Sequence, residues 1–207
     1  MKSFSKVKSS DEYVYTIEKS KFICNLASFE DEEQIKNYIL SIKKRYFDAT
    51  HNCYAYIADE LGAVSKFSDD GEPSGTAGLP IAEALKNAGL KKTVAVVTRY
   101  FGGIKLGTGG LKRAYYTSVK NCIDNASIVT MCEAAVLSVK TDFAVYSKIK
   151  RILETNKAKI QSVDYADGVT VKFAVKKENQ NAVIDAITDA TCGAGMKQEN
   201  IDIYCEF

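Results

Sequence analysis

The sequence predicts an α+β protein made of two domains, and two observations lead to this prediction. In residues 1–130, short runs rich in β-forming residues alternate with amphipathic helical patterns around one continuous apolar run at residues 93–101 (TVAVVTRYF). After Glu133, strand and helix patterns follow in the order β-α-β-β-α-β, which is typical of a ferredoxin-like domain. We therefore expect one domain at residues 1–130 and another at residues 131–207, without a long linker.

The first elements begin at residues 13–29, whose alternation and β-forming residues predict two strands or one bent strand. Ser28 followed by Asp31 resembles a capping box and predicts that a helix begins there. This helix has apolar residues at helical spacing, namely Ile35, Tyr38, Ile39 and Ile42. Acidic residues lie in its first turn and basic residues in its last turn, an arrangement that the helix dipole favours.

Two short strands are expected next, near residues 53–58 and 64–68. The segment that follows, SDDGEPSGTAGLP at residues 68–80, contains both prolines of the chain and predicts a loop. Pro80 fits the first turn of a helix, which is expected to stop at Gly89 because glycine commonly ends helices.

The apolar run at residues 93–101 predicts a strand that is buried on both faces. A glycine-rich segment follows it, and five glycines lie between residues 102 and 110. A helix is then expected from about Gly110 to Ala126, with one apolar stripe formed by Leu111, Tyr115, Val119 and Cys122.

The C-terminal domain is expected to form from strand 134–142, helix 146–156, hairpin 159–177, helix 181–190 and strand 196–207. The hairpin should turn at Asp167-Gly168, since Asp-Gly is a strong signal for a tight turn. Asn179 is expected to cap the second helix.

Composition excludes several classes of protein. Hydrophobic residues make up 46% and charged residues 26% of the 207 residues, which is typical of a globular protein. No apolar run approaches the roughly 18 residues of a membrane span, and the N-terminus has no secretion signal, so we expect a cytoplasmic protein without a membrane partner. The six cysteines are widely spaced and form no C-x-x-C pair, which predicts buried reduced thiols and no disulfide partner.

The distribution of charge is more informative than the net charge of +2. No acidic residue lies between Glu83 and Asp124, although this stretch contains the cations Lys86, Lys91, Lys92, Arg99, Lys105, Lys112, Arg113 and Lys120. An acidic stretch precedes it, with Asp59, Glu60, Asp69, Asp70 and Glu72. A surface field of one sign favours an anionic ligand, so the basic stretch predicts one.

The glycine-rich segment between a buried strand and a helix could bind an anion such as phosphate. Backbone N–H groups at a helix N-terminus point outward, and glycines let a ligand approach them closely. The candidate anion- or RNA-binding residues are Arg99, Tyr100, Gly102, Gly103, Lys105, Gly107, Thr108, Gly109, Gly110, Lys112 and Arg113. The pattern matches neither a Walker A loop nor G-x-G-x-x-G, and a tight crossover that needs positive φ angles is the alternative.

The acidic loop before the basic stretch offers a second group of polar residues. Together with the single histidine, the candidates for a supporting or metal site are His51, Asp69, Asp70, Glu72, Ser74 and Thr76. The three carboxylates could hold a divalent metal, and no other cofactor is expected. The alternatives are an acidic turn capped by its own hydroxyls, and ion pairs that rigidify the basic segment through Arg99, Lys105 or Arg113.

Two further patterns each allow a functional and a structural interpretation. His51 and Cys53 would share one face of a strand, so a Cys–His dyad is allowed, but without a third orienting residue a hydrogen-bonded histidine beside a core cysteine is favoured. In helix 110–126, basic residues interleave with Tyr115 and Tyr116, a composition that suits single-stranded nucleic acid. An amphipathic helix with its tyrosines in the core explains the same residues.

Three segments resemble the signature blocks of the YigZ/IMPACT family. They are DATHNCYAY at residues 48–56, FSDDGEPSGTAGLP at 67–80 and VVTRYFGGIKLGTGGLKRAY at 96–115, and the resemblance extends over most of the chain. It implies an N-terminal domain similar to the second domain of ribosomal protein S5. It also implies a C-terminal domain similar to the last, ferredoxin-like domain of elongation factor G.

The resemblance also carries over individual positions and an expected role. The polar signature positions of the family are occupied here by His51, Asp69, Asp70, Glu72, Thr76, Arg99, Tyr100, Lys105, Thr108 and Arg113. One departure is Leu79, which stands where many relatives have arginine and so removes one cation. Eukaryotic relatives regulate translation under amino-acid starvation, and the role implied for bacterial members is binding to nucleic acid or the ribosome.

The sequence thus leads to an expected function and two rivals. We expect a non-enzymatic, translation-linked protein that binds an anionic partner, RNA or the ribosome, through the basic glycine-rich segment. The first rival is an enzyme acting on a phosphorylated or nucleotide small molecule, in which Asp69 or Asp70 would bind metal and His51 would transfer a proton. The second rival is a scaffold that binds another protein through the C-terminal sheet.

Overall fold

The computed structural model of the protein describes residues 3–193 and 196–207, and the side chains of all of these except residues 196–202. The chain divides into two compact units, Phe4–Val129 and a second formed mainly by Thr130–Phe207. Both units combine helices with sheets, which confirms the predicted α+β class.

The first unit has a five-stranded antiparallel sheet in the order β2-β3-β6-β4-β5. Its elements are β1 (Ser3–Ser9), β2 (Tyr13–Ile17), β3 (Ser20–Ser28), α1 (Glu32–Arg45), β4 (His51–Ile57), β5 (Ser65–Ser68), α2 (Gly78–Asn87), β6 (Thr93–Tyr100) and α3 (Gly107–Asp124). Residues 13–29 therefore form two strands, and the tight turn between them contains Glu18 and Lys19, both with positive φ.

The central strand β6 is buried on both faces, as its apolar sequence predicts. Helix α1 covers one face, where its Ile35 and Ile39 pack with Val94 and Val96. Helices α2 and α3 cover the other face, and their side chains pack against the residues that alternate with these two valines along β6. The end of β6 and the start of α3 therefore lie on one side of a rigid, close-packed layer.

Two predicted helix starts are wrong in the first unit. Ser28 does not begin a capping box, because it pairs with Thr93 as the last residue of β3. The N-cap of α1 is Asp31, whose side chain accepts a hydrogen bond from the backbone N–H of Gln34 at 2.8 Å. Helix α3 begins at Gly107 rather than Gly110 and ends at Asp124 rather than Ala126, since the packing of its apolar stripe against the sheet outweighs the low helix propensity of glycine.

The second unit has the predicted β-α-β-β-α-β order and an antiparallel sheet in the order β10-β7-β9-β8. Its elements are β7 (Ser127–Thr141), α4 (Phe143–Thr155), β8 (Lys159–Asp164), β9 (Val169–Lys176), α5 (Gln180–Thr191) and β10 (Met196–Glu206). Gly168 has a positive φ of 83° in the predicted turn between β8 and β9. Asn179 is the N-cap residue of α5, as predicted, but its side chain makes no capping hydrogen bond and a short 3-10 turn, Lys177–Asn179, precedes the helix.

Two further sequence predictions concern the chain as a whole. All six cysteines are free thiols, and four of them are buried, as their apolar neighbours predict. Within residues 3–193 and 196–207, no helix combines the length and the apolar character needed to cross a membrane.

Candidate functional site

The N-terminus of α3 presents backbone N–H groups that the protein itself does not use. Its N-cap residue, Leu106, makes no side-chain capping bond, and the first turn contains no acidic residue. The first N–H groups of any helix lack intrahelical acceptors, and in the described part of the chain the amides from Leu106 to Gly109 have no other acceptor. Gly107, Thr108 and Gly109 are exposed, so this terminus offers positive potential to an anion.

A cavity of about 470 Å³ adjoins these amides. Its volume is in the range of about 300–1,000 Å³ that is common for small-ligand sites. Phe101, Leu106 and Leu111 give it apolar walls, whereas its polar lining includes Thr50, His51, Glu72, Arg99, Lys105 and Thr108. The cavity therefore brings together the start of β4, the acidic loop, the end of β6 and the N-terminus of α3.

Arg99 lies in this cavity but is not the free phosphate-binding cation that the sequence predicts. It is 5% exposed, and its Nη1 donates a hydrogen bond to Glu72 Oε1 at 2.7 Å. The guanidinium carbon lies 5.4 Å from the ring centre of Phe22 and 5.5 Å from that of Phe101. Its Nε is buried and has no hydrogen-bond partner. Arg99 is thus fixed by an ion pair and two aromatic rings, with one donor left unused.

Glu72 links Arg99 to the core of the unit. Its Oε1 also accepts a hydrogen bond from the hydroxyl of Tyr115 at 2.8 Å. Its Oε2 lies 3.9 Å from His51 Nε2, which is too far for a hydrogen bond. His51 Nδ1 lies 2.8 Å from the backbone oxygen of Asp70, and because a carbonyl oxygen can only accept, Nδ1 is the protonated nitrogen. In the neutral ring, Nε2 therefore keeps a lone pair beside the cavity.

Cys53 does not form a dyad with His51. The thiol is buried and donates to the backbone oxygen of Asp69 at 2.9 Å, and it lies 3.3 Å from the hydroxyl oxygen of Tyr115. Burial raises the pKa of Cys53, so the thiol stays protonated and is a poor nucleophile. The two side chains contact different parts of the acidic loop, and the interpretation of Cys53 as a core residue is confirmed.

The other carboxylates of the acidic loop are occupied by donors of the protein. Asp69 accepts the backbone N–H groups of Gly75, Ala77 and Gly78 at 2.8–2.9 Å. Burial raises the pKa of Asp69, but these backbone donors outweigh it and the net shift is downward. Asp70 forms an ion pair with Lys43 at 2.5 Å. Asp69 therefore organises the loop as an N–H acceptor.

This arrangement can be compared with the alternatives that the sequence leaves open for the acidic loop. The sequence allows ion pairs between the acidic loop and Arg99, Lys105 or Arg113. Among the described residues, only the ion pair between Glu72 and Arg99 is found. Thr76 donates its hydroxyl to the backbone oxygen of Pro73 within the loop, as the capped-turn alternative expects, whereas Ser74 is exposed. Within the described residues, no group of three or more His, Cys, Asp or Glu side chains could hold a metal ion.

The glycines of the segment serve different purposes. Gly102 donates its N–H to Ser20 Oγ at 3.1 Å, so its amide is not available to a ligand as the sequence predicts. Gly103 and Gly107 have positive φ angles of 86° and 69°, which a tight crossover requires. Gly109 has an ordinary φ and open space around the position of a Cβ atom. Close packing therefore requires glycine at position 102, and positive φ angles favour it at positions 103 and 107. Gly109 has no such requirement, and its lack of a side chain leaves the helix N-terminus open.

Replacing Gly102 with alanine is expected to lower the free energy of unfolding by about 1–3 kcal/mol, because close packing leaves no room for the new methyl group. The Cβ atom would lie 2.0 Å from the backbone carbon of Lys19. Gly109→Ala is the matched control and should be neutral or stabilising by up to about 1 kcal/mol, since it adds helix propensity without a clash. Urea denaturation of both variants measures the difference, and equal stabilities would contradict this packing.

The basic residues around α3 are accessible. Lys105, Lys112 and Arg113 are exposed and have no ion pair or side-chain hydrogen bond in the described part of the chain. Lys105 and Arg113 also line a second concavity of about 540 Å³, which shares Lys105 and Leu106 with the first cavity. Cations that lack an internal partner are free to contact an external anion.

The tyrosines of this region do not form the aromatic surface that their spacing allows. Tyr115 is fully buried in the core, and Tyr116 accepts a hydrogen bond from Asn87 through its hydroxyl. Tyr100 donates its hydroxyl to Asp48 at 2.7 Å. The exposed aromatic residue is instead Phe101, which in the sequence is only the last residue of an apolar run. Its position directly before the glycines is the signal that could have identified it.

Known proteins resemble this chain over most of its length. Residues 18–123 match the family model "Impact N-terminal domain", and residues 139–194 match "Domain of unknown function (DUF1949)". The chain is 39% identical over 204 residues to "IMPACT family member YvyE" of Bacillus subtilis (strain 168), which covers 99% of this chain and 94% of that relative. The chain belongs to the IMPACT family.

Other IMPACT family relatives extend the comparison. The chain is 34% identical over 168 residues to "IMPACT family member YigZ" of Escherichia coli (strain K12), covering 78% of this chain and 80% of that protein. "Protein IMPACT" of Rattus norvegicus is 30% identical over 115 residues, covering 53% of this chain and 34% of that protein. A crystal structure described as that of "an hypothetical protein" superposes with a TM-score of 0.63 at 30% identity, covering 97% of this chain and 98% of that one.

Proposed function

We propose that this IMPACT family protein binds RNA, free or in the ribosome, through phosphate contacts at the N-terminus of α3. The observation that carries the proposal is the set of unused N–H groups from Leu106 to Gly109, beside a buried Arg99 whose Nε also lacks a partner. Helix N-termini with free amides are established phosphate-binding positions, because geometry and dipole act together. The role in translation is the one that the family resemblance implies.

The surrounding charge supports a polymeric anion. Lys105, Lys112 and Arg113 are exposed and form no ion pair in the described residues, and Glu18 is the acidic residue that lines the second concavity beside Lys105 and Arg113. The two concavities share Lys105 and Leu106 as lining residues, so they adjoin each other there. A polynucleotide can contact both concavities with successive phosphates, whereas a single small phosphate can occupy only one.

A second function is favoured by one specific observation, the lone pair of His51 Nε2 beside the cavity. An imidazole oriented by the Asp70 carbonyl next to an anion-binding helix terminus has the geometry of a general base. Such a site would suit an enzyme acting on a phosphorylated small molecule. A thermal-shift screen with ATP and magnesium separates the two functions, because a clear shift with ATP and none with RNA would favour the enzyme.

Binding of labelled single-stranded RNA is expected at low salt and should weaken steeply as salt is added. For three phosphate contacts, counterion release predicts an increase in Kd of about 20-fold between about 50 mM and about 200 mM salt. Fluorescence anisotropy measures both values. If no binding is detected at the lower salt concentration, or if Kd does not depend on salt, the proposed function is wrong.

A further inference from the structure

The cavity beside α3 has more apolar wall than a phosphate group needs. The side chain of Phe101 is 46% exposed, and the guanidinium of Arg99 lies 5.5 Å from its ring centre. The exposed part of the ring lies in the same cavity as Leu111 and Pro73. A phosphate is satisfied by amides and cations alone, so these apolar walls indicate a second, flat and less polar part of the ligand.

The polar lining of the cavity points to the chemistry of that second part. Glu72 Oε2 has no donor within hydrogen-bond distance in the described residues, and Glu72 and His51 both line the cavity. Leaving a carboxylate oxygen of this kind unpaired is unfavourable, so a ligand that donates a hydrogen bond to it gains affinity. A phosphate, which has only acceptors, would instead be repelled by the carboxylate.

We propose that this cavity takes an unstacked nucleobase of single-stranded RNA, next to the phosphate held at the N-terminus of α3. Phe101 stacks on the base, and Glu72 Oε2 accepts a hydrogen bond from a base N–H group. This inference rests on the proposed function, since the phosphate contacts bring the strand to the site. Beyond the proposed function, it means that the protein binds single-stranded RNA more tightly than duplex RNA.

The distinction follows from how RNA presents its bases. In an A-form duplex the bases are stacked and paired, so none can enter a cavity without being extruded. A single strand can place one base in the cavity with little loss of stacking and pairing energy. Its flanking phosphates can then contact the amides of α3 and Lys105. The phosphate contacts, in contrast, are available to a duplex and a single strand alike.

The test compares RNA oligonucleotides of about 12 nucleotides as a single strand and as a duplex, with inorganic polyphosphate as a competitor that lacks bases. The wild-type protein should bind the single strand at least about tenfold more tightly than the duplex. Phe101→Ala should weaken single-strand binding by about tenfold, because it removes one stacking contact, and should leave duplex binding unchanged. Unchanged duplex binding also shows that the variant is folded.

Phe47→Ala is the matched control, since Phe47 is 85% exposed and does not line the cavity. It should leave both affinities unchanged. If the wild type binds single strand and duplex equally, or if Phe101→Ala and Phe47→Ala behave alike, the nucleobase inference is overturned while phosphate binding stands. If polyphosphate binds but neither RNA does, or if nothing binds at low salt, the proposed function fails and this inference fails with it.

Discussion

Replacing Glu72 with alanine is expected to lower the free energy of unfolding by about 3–5 kcal/mol, because removing one partner of a buried ion pair leaves the other charge uncompensated. The side chains of Arg99 and Glu72 are only 6% and 3% exposed, and their charged atoms lie 2.7 Å apart. The same carboxylate oxygen accepts the hydroxyl of Tyr115, which is fully buried and would also lose its acceptor. The substitution thus leaves two unsatisfied groups in the core.

Urea denaturation followed by circular dichroism measures this loss. Asp124→Ala is the control, because it removes an ion pair with Lys120 in which both side chains are more than half exposed. Pairs of that kind contribute only about 0.3–0.5 kcal/mol. A second variant, Arg99→Met with Glu72→Leu, removes both charges and should recover most of the stability. If Glu72→Ala loses less than about 1 kcal/mol, the buried pair is not the element that fixes the cavity.

The elements that the sequence predicts well are those whose pattern is local. Strand β6 is buried on both faces, and its continuous apolar run shows this directly. The turn between β8 and β9 follows from Asp167-Gly168, since glycine supplies the positive φ that the turn needs. Apart from β1, the order of elements in both units follows from such patterns, and the signature blocks identify the family.

The details of the site depend on contacts that are distant in sequence. Arg99 and Arg113 are the same residue type in the same basic segment. Arg99 is nevertheless buried against Glu72, which lies 27 positions away, whereas Arg113 is exposed. Likewise, the N–H of Gly102 bonds to Ser20, which lies 82 positions away. Sequence patterns locate the basic segment, but they cannot show which of its charges and amides the protein already uses.

Strand β1 illustrates the same limit in the fold. Its sequence, SFSKVKS, is mostly polar and gives no strong strand signal. The strand is held by non-local contacts, in which Ser5 accepts the backbone N–H of Lys91 and Val7 donates to Ser28 Oγ. A strand that depends on such distant partners cannot be predicted from its own sequence, and it is recognised only in the folded structure.

The triple variant Lys105→Ala, Lys112→Ala and Arg113→Ala is expected to weaken RNA binding by about 10²–10³-fold at about 50 mM salt, because three counterion-releasing contacts are removed. The dependence of log Kd on log salt should fall by about 2 for single-stranded RNA. Stability should change little, since these side chains are exposed and make no ion pair in the described part of the chain. Fluorescence anisotropy over a salt series measures both quantities.

A matched control removes the same charge from the second unit. Lys148→Ala, Lys150→Ala and Arg151→Ala change three exposed cations on α4, so the net charge falls by the same amount. If phosphates bind at the N-terminus of α3, this control should retain wild-type affinity within about twofold, because it leaves every amide and cation of that site unchanged. Equal losses in the two triple variants would show that affinity follows net charge alone, and the site at α3 would then have no special role.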